Sequence, residues 1–433
     1  MNLRSGRWAK FLALLFAMSL LAAACGGNAD DDGEDASTDE GSEEPAESGG
    51  EPDTAPGFDG STIRLGVITP QTGVAAVIGN PLTNGNQVFF DALNAKGGIA
   101  GKYKVELEIV DSQYQPATGT QVYGATKADV AAYVQILGTA VVNAILPQLK
   151  SDNIVASPAS LDSFWIREQQ LLALGAPYQI QAINGMDWWV NQEGNADSTI
   201  CLMRQDDDYG KAGLEGMEFA AEELGFEITE DVTFAPTDTE FGAQVNQLKG
   251  AGCEFVFLVG LPSATSPIMA AAEQTGFTPQ WLGQSPTWIS LFAGNAYLQQ
   301  NFAVVAEGPE WGDATSEGMA QMLADIEAHD TKDQAADIYF AFGYAQAWSM
   351  AQVLEKAVEL GDLSREGIVA AMNEVGTLDT GGLLGDYEYG EPADRKFPRG
   401  NRIFTVDATA EGGLKAATET FVSEAAEKFE LSE

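Results

Sequence analysis

The sequence predicts an α/β protein of two doubly wound lobes, each a parallel sheet covered by helices on both faces. Three observations carry that expectation. Apolar strand-like runs alternate with amphipathic stretches from Ile63 onward, and the alternation restarts at Thr199 after a Trp-rich interval. Setting aside an N-terminal leader and an acidic stretch leaves about 370 residues, too many for one hydrophobic core and enough for two.

The chain opens on an export address. Arg4, Arg7 and Lys10 precede an apolar run from Phe11 to Leu21, and small residues then lead to Ala24, Cys25 and Gly26. A basic head, a short apolar centre and a small-residue exit make a signal peptide over residues 1–24. The run is short for a bilayer crossing, and without an Arg-Arg pair before it the twin-arginine route is disfavoured. A cysteine directly after three alanines resembles the lipobox of bacterial lipoproteins, with Ala22 where leucine is usual and Leu21 one step further out. The resemblance implies lipidation of Cys25 and attachment to the membrane through that lipid; a plain cleavable signal or membrane anchor is the simpler alternative. Residues 25–59 read as a disordered tether, because Gly26 to Asp59 holds thirteen acidic residues, no basic one and almost no large apolar side chain.

In the body, Ile63 to Ile68 reads as a strand, Thr69 to Gly73 as a turn and Asn80 to Ala95 as a helix. Apolar segments recur at Val105 to Val110, Val134 to Leu137 and Ile154 to Ala156, with helical stretches near Thr118 to Asp129 and Ala144 to Lys150. Strands alternating with helices imply a parallel sheet covered on both faces. The second series runs from the strand Thr199 to Met203 through a helix from Tyr209 to Leu224, a strand ending near Phe234, a helix from Phe241 to Lys249 and the strand Phe255 to Val259. Gln334 to Leu360 reads as one long helix whose Trp348 and Met350 belong to a core.

A net charge of −42 excludes nucleic acid as a partner, since a phosphate backbone repels such a surface. One histidine, His329, and no Cys/His cluster argue against a zinc site, and neither a cofactor nor a metal is expected. His329 reads as an exposed residue at a helix end. The triplet Asp206 to Asp208 is a helix cap, with Asp208 as the capping residue, rather than a metal cage. Beyond Cys25 only Cys201 and Cys253 remain, an even pair that leaves free thiols or one disulfide open. No Gly-x-Ser-x-Gly elbow, Walker loop or dinucleotide glycine fingerprint supports an enzyme.

Several landmarks then fall in one order. Ile63 to Val67, Thr72-Gly73, the run Asn94-Ala95-Lys96-Gly97-Gly98-Ile99-Ala100-Gly101, and Asp111 resemble the first lobe of branched-chain amino-acid binding proteins of ABC importers. Asp207 to Gly210, Phe241 to Leu248, Phe255 to Gly260 and Gly276-Phe277 resemble the second. The similarity spans nearly the whole chain after the tether. It implies the type I periplasmic-binding fold, two Rossmann-like lobes joined by a three-segment hinge. Residues 60–182 and 308–378 would then form the N-terminal lobe, and 183–307 and 379–433 the C-terminal lobe. With that strand order Cys201 and Cys253 lie on neighbouring strands, which favours their disulfide.

The resemblance also places the ligand. It implies contacts from the loop after Gly138 (Thr139, Ala140, Val141), the loop after Pro158 (Ala159, Ser160), Tyr209, Leu261, Ser285 and Tyr344. Ser285 stands where the family has its amine-binding glutamate, and Leu161 where a threonine helps grip the α-carboxylate. Leu261 and Ile78 replace tyrosines of leucine binders. The resemblance by itself implies a branched-chain amino acid, but a buried ammonium without a carboxylate partner costs several kcal/mol, so these departures point instead to a related solute lacking the ammonium: an amide or a carboxylic acid. Trp281 and Trp288 read equally as hinge packing or as a wall for an apolar ligand. The expected protein is a monomeric extracytoplasmic lipoprotein that captures a small organic solute and delivers it to ABC permease subunits; a sensory receptor of the same fold is the rival.

Overall fold

The computed structural model describes residues 51–431 except 334, so the leader, Cys25 and most of the acidic stretch lie outside the described residues. The first sheet comprises β1 (Thr62–Thr69), β2 (Lys104–Asp111), β3 (Ala132–Leu137) and β4 (Ala156–Ala159), ordered β2-β1-β3-β4 and parallel throughout. Helices α1 (Ala76–Ala95), α2 (Pro116–Thr126) and α3 (Thr139–Asp152) return the chain between successive strands. All of β3 is buried, as a central parallel strand covered on both faces requires.

The pattern repeats after α4 (Tyr178–Asp187). It runs β5 (Ile200–Gln205), α5 (Asp208–Leu224), β6 (Ile228–Phe234), α6 (Gly242–Ala251), β7 (Phe255–Val259), α7 (Pro262–Thr275), β8 (Gln280–Gln284), α8 (Ala296–Asn301) and β9 (Phe302–Ala306). The chain then returns to the first lobe with α9 (Glu317–His329), α10 (Ile338–Leu360), α11 (Arg365–Glu374) and the short pair β10 (Thr377–Leu378) and β11 (Tyr387–Glu388). Finally β12 (Arg402–Val406), β13 (Leu414–Ala416) and α12 (Glu424–Lys428) complete the second lobe. Its sheet is ordered β6-β5-β7-β8-β9-β12-β13, with β12 antiparallel to both β9 and β13. Cys201 on β5 and Cys253 just before β7 are joined by a disulfide, their Cα atoms 5.8 Å apart. No helix among the described residues is long and apolar enough to cross a membrane.

Three expectations shift. The tether expected through Asp59 ends sooner: Phe58 is 3% exposed, packs edge-on to Tyr103 and joins the first-lobe core. The strand expected at 154–156 lies at Ala156–Ala159, and the helix expected from Ala144 begins at Thr139, directly after Gly138. The lobe boundaries move as well. Leu174 packs in the first-lobe core and Ala176 in the second, so all of α4 belongs to the second lobe, where the boundary at 182/183 would cut it. Leu383, Tyr387 and Tyr389 pack in the first-lobe core, beyond the boundary placed at 378/379.

Helix α10 is carried to the interlobe face by close packing on α1. A Cβ on Gly85 would lie 2.2 Å from the Phe340 carbonyl oxygen, and one on Gly343 1.9 Å from that of Leu82. Only glycine lets the two backbones meet there.

Candidate ligand-binding cleft

Open parallel sheets leave their functional loops at the carboxyl ends of the strands. Here both sheets turn that edge toward one cleft of about 1080 Å³, part of it open to solvent. Tyr114 follows β2, Thr139 follows β3, Ser160 follows β4, Tyr209 follows β5, Leu261 follows β7, Ser285 follows β8 and Glu307 follows β9, and all of them line it. The walls are largely apolar, with Ile78, Leu82, Leu137, Leu161 and Phe342 among them.

In the first lobe, Gly138 holds a φ of 105° and a Cβ there would lie 2.6 Å from the Tyr114 ring, so glycine is required on both counts. Thr139 then begins α3, and no side chain caps that helix. Its first-turn amides are therefore left to a ligand or to water. The Thr139 and Ser160 hydroxyls lie 2.8 Å apart, and Trp165 Nε1 donates to Ser160 Oγ at 3.3 Å. Indole can only donate. One hydroxyl proton joins Thr139 to Ser160, which leaves the other for an acceptor.

The second lobe builds its wall on glutamines. Gln205 Oε1 accepts from the Leu261 amide at 3.2 Å while its Nε2 donates to Asp207 at 3.0 Å. Gln181 Oε1 accepts from the Ser285 amide at 3.1 Å, and Gln284 Nε2 donates to the Tyr178 carbonyl at 2.7 Å. Asp207, not Asp208, is the N-cap of α5: its carboxylate accepts from the Gly210 amide at 3.0 Å. Asp208 instead accepts from Asn143 of the first lobe at 2.8 Å, a bond across the cleft that lowers its pKa. Tyr339 makes a second crossing, donating from α10 to the Pro286 carbonyl at 2.9 Å.

Tyr209 is 2% exposed, and its hydroxyl has no partner among the described residues. Its ring lies 4.7 Å from that of Tyr178. Burial, reinforced by the neighbouring phenols Tyr178, Tyr114 and Tyr339, pushes its pKa well above 10, so it is a neutral donor at every physiological pH. Glu307 is the acid of the cleft wall. One of its oxygens accepts from the Ala176 amide and the other from the Gly385 amide at 2.7 Å, while burial raises its pKa to about 7.

Of the residues expected from sequence, the fold brings Thr139, Ala159, Ser160, Tyr209, Leu261 and Ser285 to the cleft, together with Ile78 and Leu161. Ala140 and Val141 do not line it, because α3 starts at Thr139 and helical periodicity turns Val141 into the first-lobe core. Tyr344 faces away: its hydroxyl donates to Asp325 at 2.6 Å and its ring packs on Phe89. Tyr339, more than a turn earlier on α10, takes the cleft position. Trp281 and Trp288 are core residues of the second lobe, bonded to Tyr297 Oη and the Gly412 carbonyl. Tyr114, Tyr178, Gln181, Tyr339 and Glu307 were not foreseen. For Tyr114 the sequence carries no signal, since its role rests on a left-handed backbone with φ of 59°.

The sequence profile of the periplasmic binding protein family matches residues 62–413. The Leu/Ile/Val-binding protein homolog 1 of Brucella abortus is 24% identical over 352 residues, covering 78% of this chain and 88% of that protein. Among solved structures, the fatty acid ABC transporter substrate-binding protein from Thermomonospora curvata superposes with a TM-score of 0.80 at 25% identity, covering 87% of this chain and 97% of that one. A branched-chain amino-acid ABC transporter protein from Thermus thermophilus with bound valine gives 0.74 at 16% identity, covering 85% and 98%, and shares the fold. The match through both lobes, and a cleft formed where the two sheets face each other, place this chain in the periplasmic binding protein family.

Proposed function

We propose that this protein is the extracytoplasmic receptor of an ABC importer, that it captures an aliphatic carboxylic acid between its lobes, and that it delivers this acid to permease subunits. One observation carries the reading: the cleft is walled by apolar side chains, and its unoccupied polar groups are neutral donors. Thr139, Ser160 and Tyr209 offer hydroxyls, the α3 amides are uncapped, and Ser285 supplies no charge for an ammonium. Glu307 is the one acid in that wall, and each of its oxygens already accepts a backbone amide. A carboxylate fits such a donor set at one end, and an alkyl chain fits the remainder. The names of the relatives span the same chemistry, from branched-chain amino acids to fatty acids. The protein acts by binding and release rather than by catalysis, as a monomer held to the outer face of the cytoplasmic membrane by a lipid on Cys25.

Calorimetry with octanoate, 4-methylpentanoate and their amides tests the ligand. Micromolar binding of an acid supports the reading, and a screen in which only amino acids bind defeats it. Cys25→Ala tests the anchor: the variant should be released from the membrane, and unchanged processing and attachment would exclude lipidation there.

A further inference from the structure

Glu307 begins the return of the chain from the second lobe to the first. It follows β9 on the second crossing, accepts from Ala176 on the first and accepts from Gly385, which lies in the first lobe between Leu383 and Tyr387. A single carboxyl group therefore joins two of the connections between the lobes to a first-lobe segment. The surrounding glycines allow it: a Cβ on Gly175 would lie 2.9 Å from one Glu307 oxygen, and one on Gly385 would lie 3.1 Å from the other. Glu307 also lines the cleft and is only partly buried. No ion pair reaches it among the described residues. The titratable groups near it are Tyr387 on β11, Arg395 behind Tyr387, and Asp386 beside the Gly385 amide.

Resting on the reading of the cleft as a site for an apolar acid, we propose that Glu307 couples capture of the solute to uptake of a proton. An alkyl chain in the cleft covers Glu307, which is only partly buried in the free protein, more deeply, and an anionic head group adds like charge to the same enclosure. Both effects disfavour the ionised form. Its two amide bonds favour the ionised form but are present with and without ligand, so they do not oppose the change on binding. Because burial already brings the group to about 7, the coupling falls in the neutral range. The sign follows from linkage: the liganded state binds more protons, so affinity rises as pH falls through about 7. The acid ligand itself titrates well below this window.

Calorimetry with octanoate at pH 7, in buffers of different ionisation heat, counts the protons directly in the wild-type protein. A fractional uptake is expected, with affinity about three- to tenfold tighter at pH 6 than at pH 8. Glu307→Gln should flatten that profile. Asp337, the cap of α10, also has its pKa raised to about 7 by burial, and Asp337→Asn should leave the profile unchanged. The proposal is overturned by wild-type binding without proton uptake, by a profile that survives Glu307→Gln, or by one abolished by Asp337→Asn. Should octanoate not bind at all, the solute reading fails by itself. The carboxyl ¹³C titration of the ligand-free protein then decides for Glu307, with a midpoint near 7 expected and one near 4 to 5 overturning the proposal.

Discussion

The first lobe meets the cleft with two hydroxyls and an uncapped helix start, whereas the second meets it with loops whose amides are already held by buried glutamines. Gln181 and Gln205 hold the backbone of Ser285 and Leu261, and Gln284 holds that of Tyr178. The consequence is a division of labour. Donors free to grip an anion lie mainly on the first lobe, and the second closes over it as a pre-shaped apolar wall with one free phenol, Tyr209. The lobes also differ in how their sheets are secured, since only the second carries a disulfide among the described residues.

Removing that staple should have the largest effect. The bridge closes a loop of 52 residues, and the chain-entropy argument gives about 4 kcal/mol for a loop of that size. Cys201→Ser with Cys253→Ser should lower denaturant stability by roughly that amount, with amide exchange rising first in β5 and β7. Equal loss of protection in β1 and β3 would show that the lobes unfold as one unit and that the contrast between them is only geometric.

Next in size is the glutamine scaffold. Gln205→Leu leaves the buried Leu261 amide without an acceptor, a loss of about 1–3 kcal/mol. Stability and ligand affinity should fall together, because the loop that supplies Leu261 loses its shape. Ser160→Ala on the other lobe should weaken binding while changing stability little. If both substitutions acted on stability alone, the cleft would not be the binding site.

The lobes were also unequally legible in the sequence. Strand order and the division into two lobes could be read from alternation, because parallel strands buried on both faces are continuous apolar runs such as Phe255 to Val259. Ser160 and Ser285 could be found because the family resemblance carries their positions over, each directly after a strand. Tyr339 and Tyr344 could not be told apart, since both lie on a helix that is apolar nearly all round and only its packing on α1 decides which one faces the cleft. Glu307 was silent for a different reason: its partners are the amides of Ala176 and Gly385, distant in sequence and brought together only by the fold. Nor did the tether announce its end, because Phe58 is a lone aromatic in an acidic run.

Selectivity tests the division of labour in the ligand itself. With Ser285 in place of an acid, leucine should bind more weakly than 4-methylpentanoate, which keeps its carboxylate and side chain but lacks the ammonium. A missing charge-assisted hydrogen bond corresponds to about 1.5–3 kcal/mol, more than tenfold in affinity. Calorimetry on the two ligands measures the ratio. Submicromolar leucine binding that Ser285→Ala leaves intact would mean that another group pairs with the ammonium, and Glu307 would be the first to examine.

The smallest effect is expected at Tyr209, and it has opposite signs in the free and the bound protein. In the ligand-free molecule the phenol is buried without a partner among the described residues, a state that carries a desolvation penalty. Tyr209→Phe removes the hydroxyl while keeping the ring packed, tilted, against Tyr178, so ligand-free stability should stay level or rise slightly. In the complex the same hydroxyl is a neutral donor to the carboxylate, and losing it should weaken binding by about 0.5–1.5 kcal/mol, up to roughly tenfold. Thermal melting of the free protein and calorimetry of the complex read the two terms separately. Loss of stability without loss of affinity would assign Tyr209 to the second-lobe core, and would leave the anion entirely to Thr139, Ser160 and the start of α3.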